Sequence, residues 1–365
     1  MEYFFDDDPG YGSGIQVTVT PGQDISKVFD LDVSGLAPGL HSAYVRAKNS
    51  FGRWSICQRD LFVVTPPPPD DIIRLEYFVN DDPGFGNGTP IPIIPGQNIS
   101  EVFSLGPVTG GMYYIYVRAM NDEGRWSIVA REQYLVLDIK VLLQGPYNPL
   151  TNLMKTQLNT SGFIPLSQPF NSNPYAVWYY TGTESVPAIP NAGVVDWVLL
   201  QLRDASQPDL ASVATAVATC PAFLLKNGKV VDLDGSSLLY FDDAEILQNL
   251  YLVIFHRNHL GIMTSGAVPL GGPDAGTWDF STASDRVYGG SLGYNQLEPG
   301  IWGMVSGDGN GNGQVSNDDK VDVWLPQSGS AGYKAGDFSL DGQVNNIDKV
   351  DYWRPNSGKS SQVPG

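Results

Sequence analysis

Hydrophobic and polar positions along this chain fall into short runs that suit strands, punctuated by Pro, Gly, Asn and Asp. Residues 41–47 (H-S-A-Y-V-R-A) read as one strand with Tyr44 near its centre, and residues 113–119 repeat it. Runs at 194–202, 222–232 and 250–255 predict further strands. The turn K-N-G-K at 226–229 and the stretch D-L-D-G-S-S at 232–237 separate β-favouring pieces. The alanine-rich stretch 209–219 fits either a short helix or a strand of small side chains. Residues 145–175 are rich in Pro, Asn, Ser and Thr and hold no long periodic segment.

The first third of the chain is written twice. EYFFDDDPGYGSG at 2–14 returns as EYFVNDDPGFGNG at 76–88, and TPGQDIS at 20–26 as IPGQNIS at 94–100. YVRAKNSFGRWSI at 44–56 returns as YVRAMNDEGRWSI at 116–128. Between the copies stands TPPPP at 65–69, whose proline run cannot lie inside a sheet and favours a stiff polyproline-II linker. The expected organisation is a β-sandwich repeat over 1–65, a linker over 66–75 and a second sandwich over 76–138. A larger antiparallel β domain over 139–300 and a duplicated, EF-hand-like calcium-loop module over 301–365 complete it. The fold class is therefore mostly β.

Charge narrows the functions. With 39 acidic and 21 basic residues the formal charge is −18, a field that repels nucleic acid and anionic membranes and favours cations. No stretch is long and apolar enough to span a bilayer. Glycine (41) and proline (27) make up nearly a fifth of the 365 residues without a collagen period, so turns must be many. Cys57 and Cys220 have no metal or redox spacing, and a disulfide between them would have to cross between regions. The first residues lack the basic and apolar regions of a signal peptide, so an exported protein would be represented here by a mature fragment.

Several clusters admit two readings. Asp6-Asp7-Asp8 before Pro9-Gly10, and Asn80-Asp81-Asp82 in the second copy, suit either a structural turn or a metal site. Arg53 and Arg125, beside Trp54 and Trp126, suggest stacking or a salt bridge within each sandwich. The run His256-Arg257-Asn258-His259 follows an apolar strand and reads as a hydrogen-bonded structural cluster before a zinc or catalytic site. Asp196 and Glu184 are candidates to pair with Arg203 or Arg257, or to act as two carboxylates of a hydrolase in the 139–300 domain.

The most specific chemistry lies at the carboxyl end. D-G-N-G-N-G-Q-V-S-N-D-D at 308–319 and D-F-S-L-D-G-Q-V-N-N-I-D at 337–348 start twenty-nine residues apart. Both carry oxygen-bearing side chains at positions one, three, five, nine and twelve, glycine at six and valine at eight. Calcium takes about six to eight oxygens, alternate residues of a tight loop supply them, and glycine permits the sharp turn. The proposed ligands are Asp308, Asn310, Asn312, Gln314 (through its carbonyl), Ser316 and Asp319 in the first loop. In the second they are Asp337, Ser339, Asp341, Gln343 (carbonyl), Asn345 and Asp348, giving two Ca2+ ions in all. Val315 and Val344 are expected to pair with each other. D-K-V-D-V-W-L-P at 319–326 and D-K-V-D-Y-W-R-P at 348–355 predict two-turn helices that Pro326 and Pro355 stop. Val321 would share a face with Trp324, and Val350 with Trp353.

These residues support a family reading. The pattern L-x-P-G-x-H-x-x-Y-V-R-A-x-N-x-x-G-x-W-S resembles late strands of fibronectin type III or immunoglobulin-like modules, in which a tyrosine pins a turn. The paired loops resemble a type I dockerin over roughly 301–355. That resemblance implies calcium binding and a cohesin partner, met at positions corresponding to Asn317, Asp318, Asn346 and Ile347. The short proline-ended helices and those recognition residues depart from the family, so calcium binding is what carries over. The stretches 182–190, 194–204, 256–264, 288–291 and 302–310 resemble the C-terminal region of large secreted proteins of Bacteroidetes-like bacteria. This implies an extracellular or cell-surface place. The leading expectation is a non-enzymatic structural or interaction protein, acting as scaffold, adhesin or surface-appendage component, with a protein partner or self-association. A glycan partner, a polymerising fibre subunit and a hydrolase are the alternatives.

Overall fold

The computed structural model describes residues 1–65, 71–106, 108–242 and 244–365. The four-proline run expected to be a linker lies outside the described residues. The protein is mostly β, with sheets of several sizes and a duplicated helical module at the carboxyl end. Its contacts divide it into two compact units. One is Met1–Ile73 with Ile94–Ile99 and Met120–Arg125; the other is Arg74–Ile93, Ser100–Ala119 and Trp126–Gly365.

In the first unit β1 (Glu2–Phe5), β2 (Ile15–Gln16), β3 (Gly39–Arg46) and β4 (Gln58–Val64) form an antiparallel sheet ordered β2-β1-β3-β4. Arg46 closes this sheet. Its buried guanidinium meets Glu2 at 2.6 Å and Asp8 at 2.9 Å, and lies 4.6 Å from the Tyr11 ring and 5.4 Å from the Trp54 ring. The acidic turn is thereby accounted for as structure: Asp8 serves Arg46, while Asp6, at φ 55°, binds His41 at 2.6 Å and accepts the Ser42 amide. Asn80, at φ 60°, does the same for the Tyr114 amide in the second copy.

That second copy comprises β5 (Ile72–Val79), β6 (Thr89–Ile91), β7 (Gly111–Asn121) and β8 (Ala130–Lys140). Arg118 there repeats Arg46, bound to Glu76 at 2.7 Å and Asp82 at 3.0 Å beneath Phe78, Phe85 and Trp126. Of the stacking or salt bridge expected of Arg53 and Arg125, the stacking on Trp54 and Trp126 is supplied by Arg46 and Arg118 instead, while Arg125 keeps a salt bridge. Side chains alternate across a strand, so the ring is met by an arginine from the neighbouring strand. Arg125 forms a surface ion pair with Glu123 at 3.2 Å. A tyrosine near this strand does pin a turn in the second copy, where the Tyr113 hydroxyl donates to Thr109 O at 3.0 Å; in the first, Tyr44 stacks on Phe4 at 5.2 Å and the Tyr3 hydroxyl accepts the Asp32 amide.

β9 (Tyr147–Asn148) pairs with β10 (Leu153–Met154), and a single helical turn, α1 (Gln157–Thr160), follows. The following strands are β11 (Val194–Ala205), β12 (Ala216–Leu225), β13 (Lys229–Val231) and β14 (Leu239–Asp242). After them come β15 (Asn249–His256), β16 (His259–Met263) and β17 (Thr277–Asp279). With β5–β8 these form an eleven-stranded sheet, β16-β15-β11-β12-β13-β8-β7-β5-β6, in which β14 and β17 also pair with β8. β11, V-V-D-W-V-L-L-Q-L-R-D-A, is buried on both faces, as a central strand must be, and Trp197 packs on Phe223 at 4.2 Å. The run 222–232 is interrupted by the 226–228 turn, and 209–219 becomes two short 3₁₀ turns leading into β12. β8 pairs with β7 and β14 along its first part and with β13 and β17 at its end. The expected boundary at 138/139 thus falls inside a strand. Both cysteines are free thiols, and burial pushes the Cys220 thiol up to about 12.

Candidate metal centre

β18 (Tyr294–Glu298) and β19 (Ile301–Met304) form a hairpin that delivers the chain to the first acidic loop. Each loop is folded around its first and last aspartates, and the two frames match. Asp308 Oδ2 accepts the Gly313 amide at 3.0 Å, and Asp337 Oδ2 accepts the Gly342 amide at 2.8 Å. Asp319 accepts the amides of Asn310 and Ser316 at 3.2 and 2.7 Å; Asp348 accepts those of Ser339 and Asn345 at 2.9 and 2.8 Å. Asn312 and Asp341 each accept the amide two residues on, from Gln314 and Gln343, both at 2.9 Å. Asn310 accepts the Asn312 amide, and the Ser339 hydroxyl donates to Asp337. The side chains of Gln314 and Gln343 are exposed, which leaves only main-chain oxygens at the seventh positions to face inward.

Backbone shape comes from two left-handed residues per loop. Gly313 and Gly342 stand at φ 82° and 86°, and the fourth position is left-handed as well: Gly311 at φ 73° and Leu340 at φ 56°. A leucine tolerates that conformation at a cost, offset here by its burial in the main core. Position four carried no signal in the sequence pattern, because one copy uses a residue that avoids this region.

Burial is the largest influence on the loop carboxyls and shifts all four terminal aspartates toward their protonated form. Burial, with Asp319 nearby, pushes the Asp308 carboxyl up to about 8. Burial also raises Asp337 to about 6, against the pull of Arg257 and with Asp348 and Asp341 adding to it. Asp319 and Asp348 are raised by burial too. Asp308 Oδ1 is buried and has no hydrogen-bond partner. Among the described residues no group of three or more His, Cys, Asp or Glu side chains forms a metal cluster. The loops carry instead a mixed set of carboxylate, amide, hydroxyl and main-chain oxygens. An all-oxygen set with an orphaned buried carboxylate oxygen fits a hard divalent cation, whose charge would reverse those shifts.

The helices after the loops depart from expectation. They run over 317–327 and 346–356, through and past the prolines. Each contains a π turn, Asp319–Trp324 and Asp348–Trp353, in which the Leu325 amide reaches Lys320 O and the Arg354 amide reaches Lys349 O. The wider turn accommodates a proline with no N–H to donate, so the helix ends one residue after it. A π turn also holds more residues than an α turn, and an i, i+3 pair no longer shares a face. Val321 and Val350 are exposed, while Val323 and Trp324 are buried.

The tryptophans tie the copies together reciprocally. Trp324 Nε1 donates to Asn345 O at 2.9 Å and Trp353 Nε1 to Ser316 O at 2.7 Å, each reaching the other loop. Lys349 lies over Trp324 and Lys320 over Trp353, at 4.4 and 4.9 Å. The valines at position eight do not pair with each other. Val315 exchanges hydrogen bonds with Gly358 and Lys359, and Val344 with Gly329 and Ser330, the segments that follow the opposite helices. Asn317, Asp318, Asn346 and Ile347 are exposed at the helix starts.

The histidine cluster proves to be the seat of the second loop. Arg257-Asn258 form the turn between β15 and β16, and the Asn258 side chain donates to Asp337 O at 2.7 Å and Ala335 O at 3.1 Å. Arg257 donates to Lys334 O and meets Asp196 at 3.0 Å; Tyr333 donates to Asp196 at 2.6 Å. His256 also meets Asp196, at 3.2 Å, and His259 accepts the Gly145 amide. Burial disfavours the Asp196 charge, but Arg257 and His256 hold its carboxyl below the usual range. Burial, with His256 and Arg257 beside it, drives His259 well below the usual imidazole value. Asp196, His256, Arg257, Asn258 and His259 are buried, and Tyr333 is half-buried. Of the other carboxylate pairings expected, Glu184 accepts the Tyr180 hydroxyl, and Arg203 donates to Gln201 and to the carbonyls of Ala211 and Pro364.

Among the described residues no helix is long and apolar enough to cross a membrane. Compared with known proteins, the chain matches no family model, no curated protein and no solved structure.

Proposed function

We propose that this is a non-enzymatic extracellular structural or interaction protein whose carboxyl-terminal module binds two calcium ions, one in each acidic loop, in the manner of a dockerin-like pair. The observation that supports it best is the repeated frame: aspartates at the same positions hold the same amides in both loops, and in the first loop the buried Asp308 Oδ1 is left without a partner. Asp308, Asn310, Asn312, Ser316 and Asp319 are the first set of side-chain ligands, and Asp337, Ser339, Asp341, Asn345 and Asp348 the second, joined by the carbonyls of Gln314 and Gln343. The second loop carries three carboxylates to the first loop's two and binds more tightly. Millimolar calcium outside cells fills such sites, which favours an extracellular or cell-surface role. The ions then act as staples, since a ligand bound only by the native form raises its stability. Isothermal titration of metal-free protein with calcium tests this: two bound ions and a higher melting temperature are expected. Identical melting curves in millimolar calcium and in excess chelator would sink the reading.

A further inference from the structure

In the second repeat the outer edge of β8 is filled. β14 lies antiparallel on it, with Leu239 opposite Leu137, Tyr240 opposite Val136, Phe241 opposite Leu135 and Asp242 opposite Tyr134. Leu135 is 1% exposed there, and Tyr240 stacks on Tyr134 at 5.5 Å. The first repeat carries the same strand. Val45 opposite Gln58 in one copy and Val117 opposite Ala130 in the other fix the correspondence, so Phe62, Val63 and Val64 stand where Tyr134, Leu135 and Val136 stand.

Among the described residues no strand pairs with the outer edge of β4. Val63 is 63% exposed, its cross-strand neighbour Leu40 68% and Leu61 51%. An edge that presents apolar side chains beside unpaired backbone groups is a template for another strand. We infer that the β4 edge accepts an extended strand from a partner protein, as β8 accepts β14: main-chain bonds would supply affinity and alternate side chains selectivity. The donor has the chemistry of L-Y-F-D, apolar or aromatic opposite Val63 and Val64, with a polar residue opposite Phe62. A second copy of this chain suits the role poorly. Its own β14 is already paired, and two chains of charge −18 repel.

The probe is a synthetic peptide of residues 236–242 (S-S-L-L-Y-F-D), added to the full chain and followed by fluorescence anisotropy and hydrogen exchange. Saturable binding is expected, with new amide protection over 58–64. V63K should weaken it at least tenfold while leaving the melting curve unchanged, and a scrambled peptide should not bind. Three results would overturn the inference: no binding at millimolar peptide, binding indifferent to V63K, or peptide-free dimers that V63K dissolves. The last would assign the edge to a second copy.

Discussion

Asp308 shows how one atom sets the behaviour of a loop. Its Oδ1 is buried without a partner, so in metal-free protein the charged carboxylate is a liability of about 1–3 kcal/mol. In chelator above about pH 8, where this carboxyl is ionised, D308N should therefore raise the melting temperature, yet lower it in calcium, a change of sign that calorimetry in the two buffers would reveal. His41 and Asp6 give a pH dependence whose direction follows from their shifts. Hydrogen bonds donated to Asp6 and to the Ala37 carbonyl raise His41 above 6.5, while His41 and the Ser42 amide lower Asp6 below 3.8. The histidine's contribution is complete below pH 6.5 and fades as pH rises through its raised value. The aspartate's is complete above 3.8 and fades as pH falls through its lowered value. Denaturation of wild type and H41A from pH 3 to 9 should then differ most between about pH 4 and 6.5 and converge at both ends.

Among the elements, the two helices and the β15–β16 turn decide how the loops are held. Each tryptophan binds the other copy's loop, so W353F should weaken calcium binding at the first loop about fivefold and W324F at the second, the worth of roughly one hydrogen bond. Titrations in D319A and D348A backgrounds would separate the sites. R257M would strand the buried Asp196 charge and should cost about 3–5 kcal/mol in urea denaturation. How much of this was legible depended on the kind of signal. Spacing of Asp, Asn and Gly marked both loops, the repeated strand pattern marked β3 and β7, and apolar runs marked β11 and β15, because these patterns are local. The proline at each helix end was read by its usual effect, and the π turn that absorbs it leaves no mark in sequence. The partners of Val315, the arginines over Trp54 and Trp126, and the seat formed by Asn258 all depend on segments distant along the chain. The histidine run, read as a hydrogen-bonded cluster, is hydrogen-bonded and buried, but its cargo, the loop at Asp337, was not visible.

For the whole molecule, the second unit joins the tail to the large sheet at the β15–β16 turn, where Asn258 donates to Asp337 O and Ala335 O, and just beyond β8, where Asn356 donates to Gln144. Calcium should consequently protect more than its own loops. Hydrogen exchange in chelator is expected to accelerate at the β15–β16 turn as well as over 308–348, whereas an independent tail would leave the turn unchanged.

β8 carries a practical consequence for anyone dividing this protein into pieces. A cut near residue 138 severs a continuous strand, stripping β13 and β17 of their neighbour and baring Leu135, Leu137 and Ile139 to water. Fragments made there would clump in solution, and a soluble truncation must keep the second repeat and everything downstream in one polypeptide.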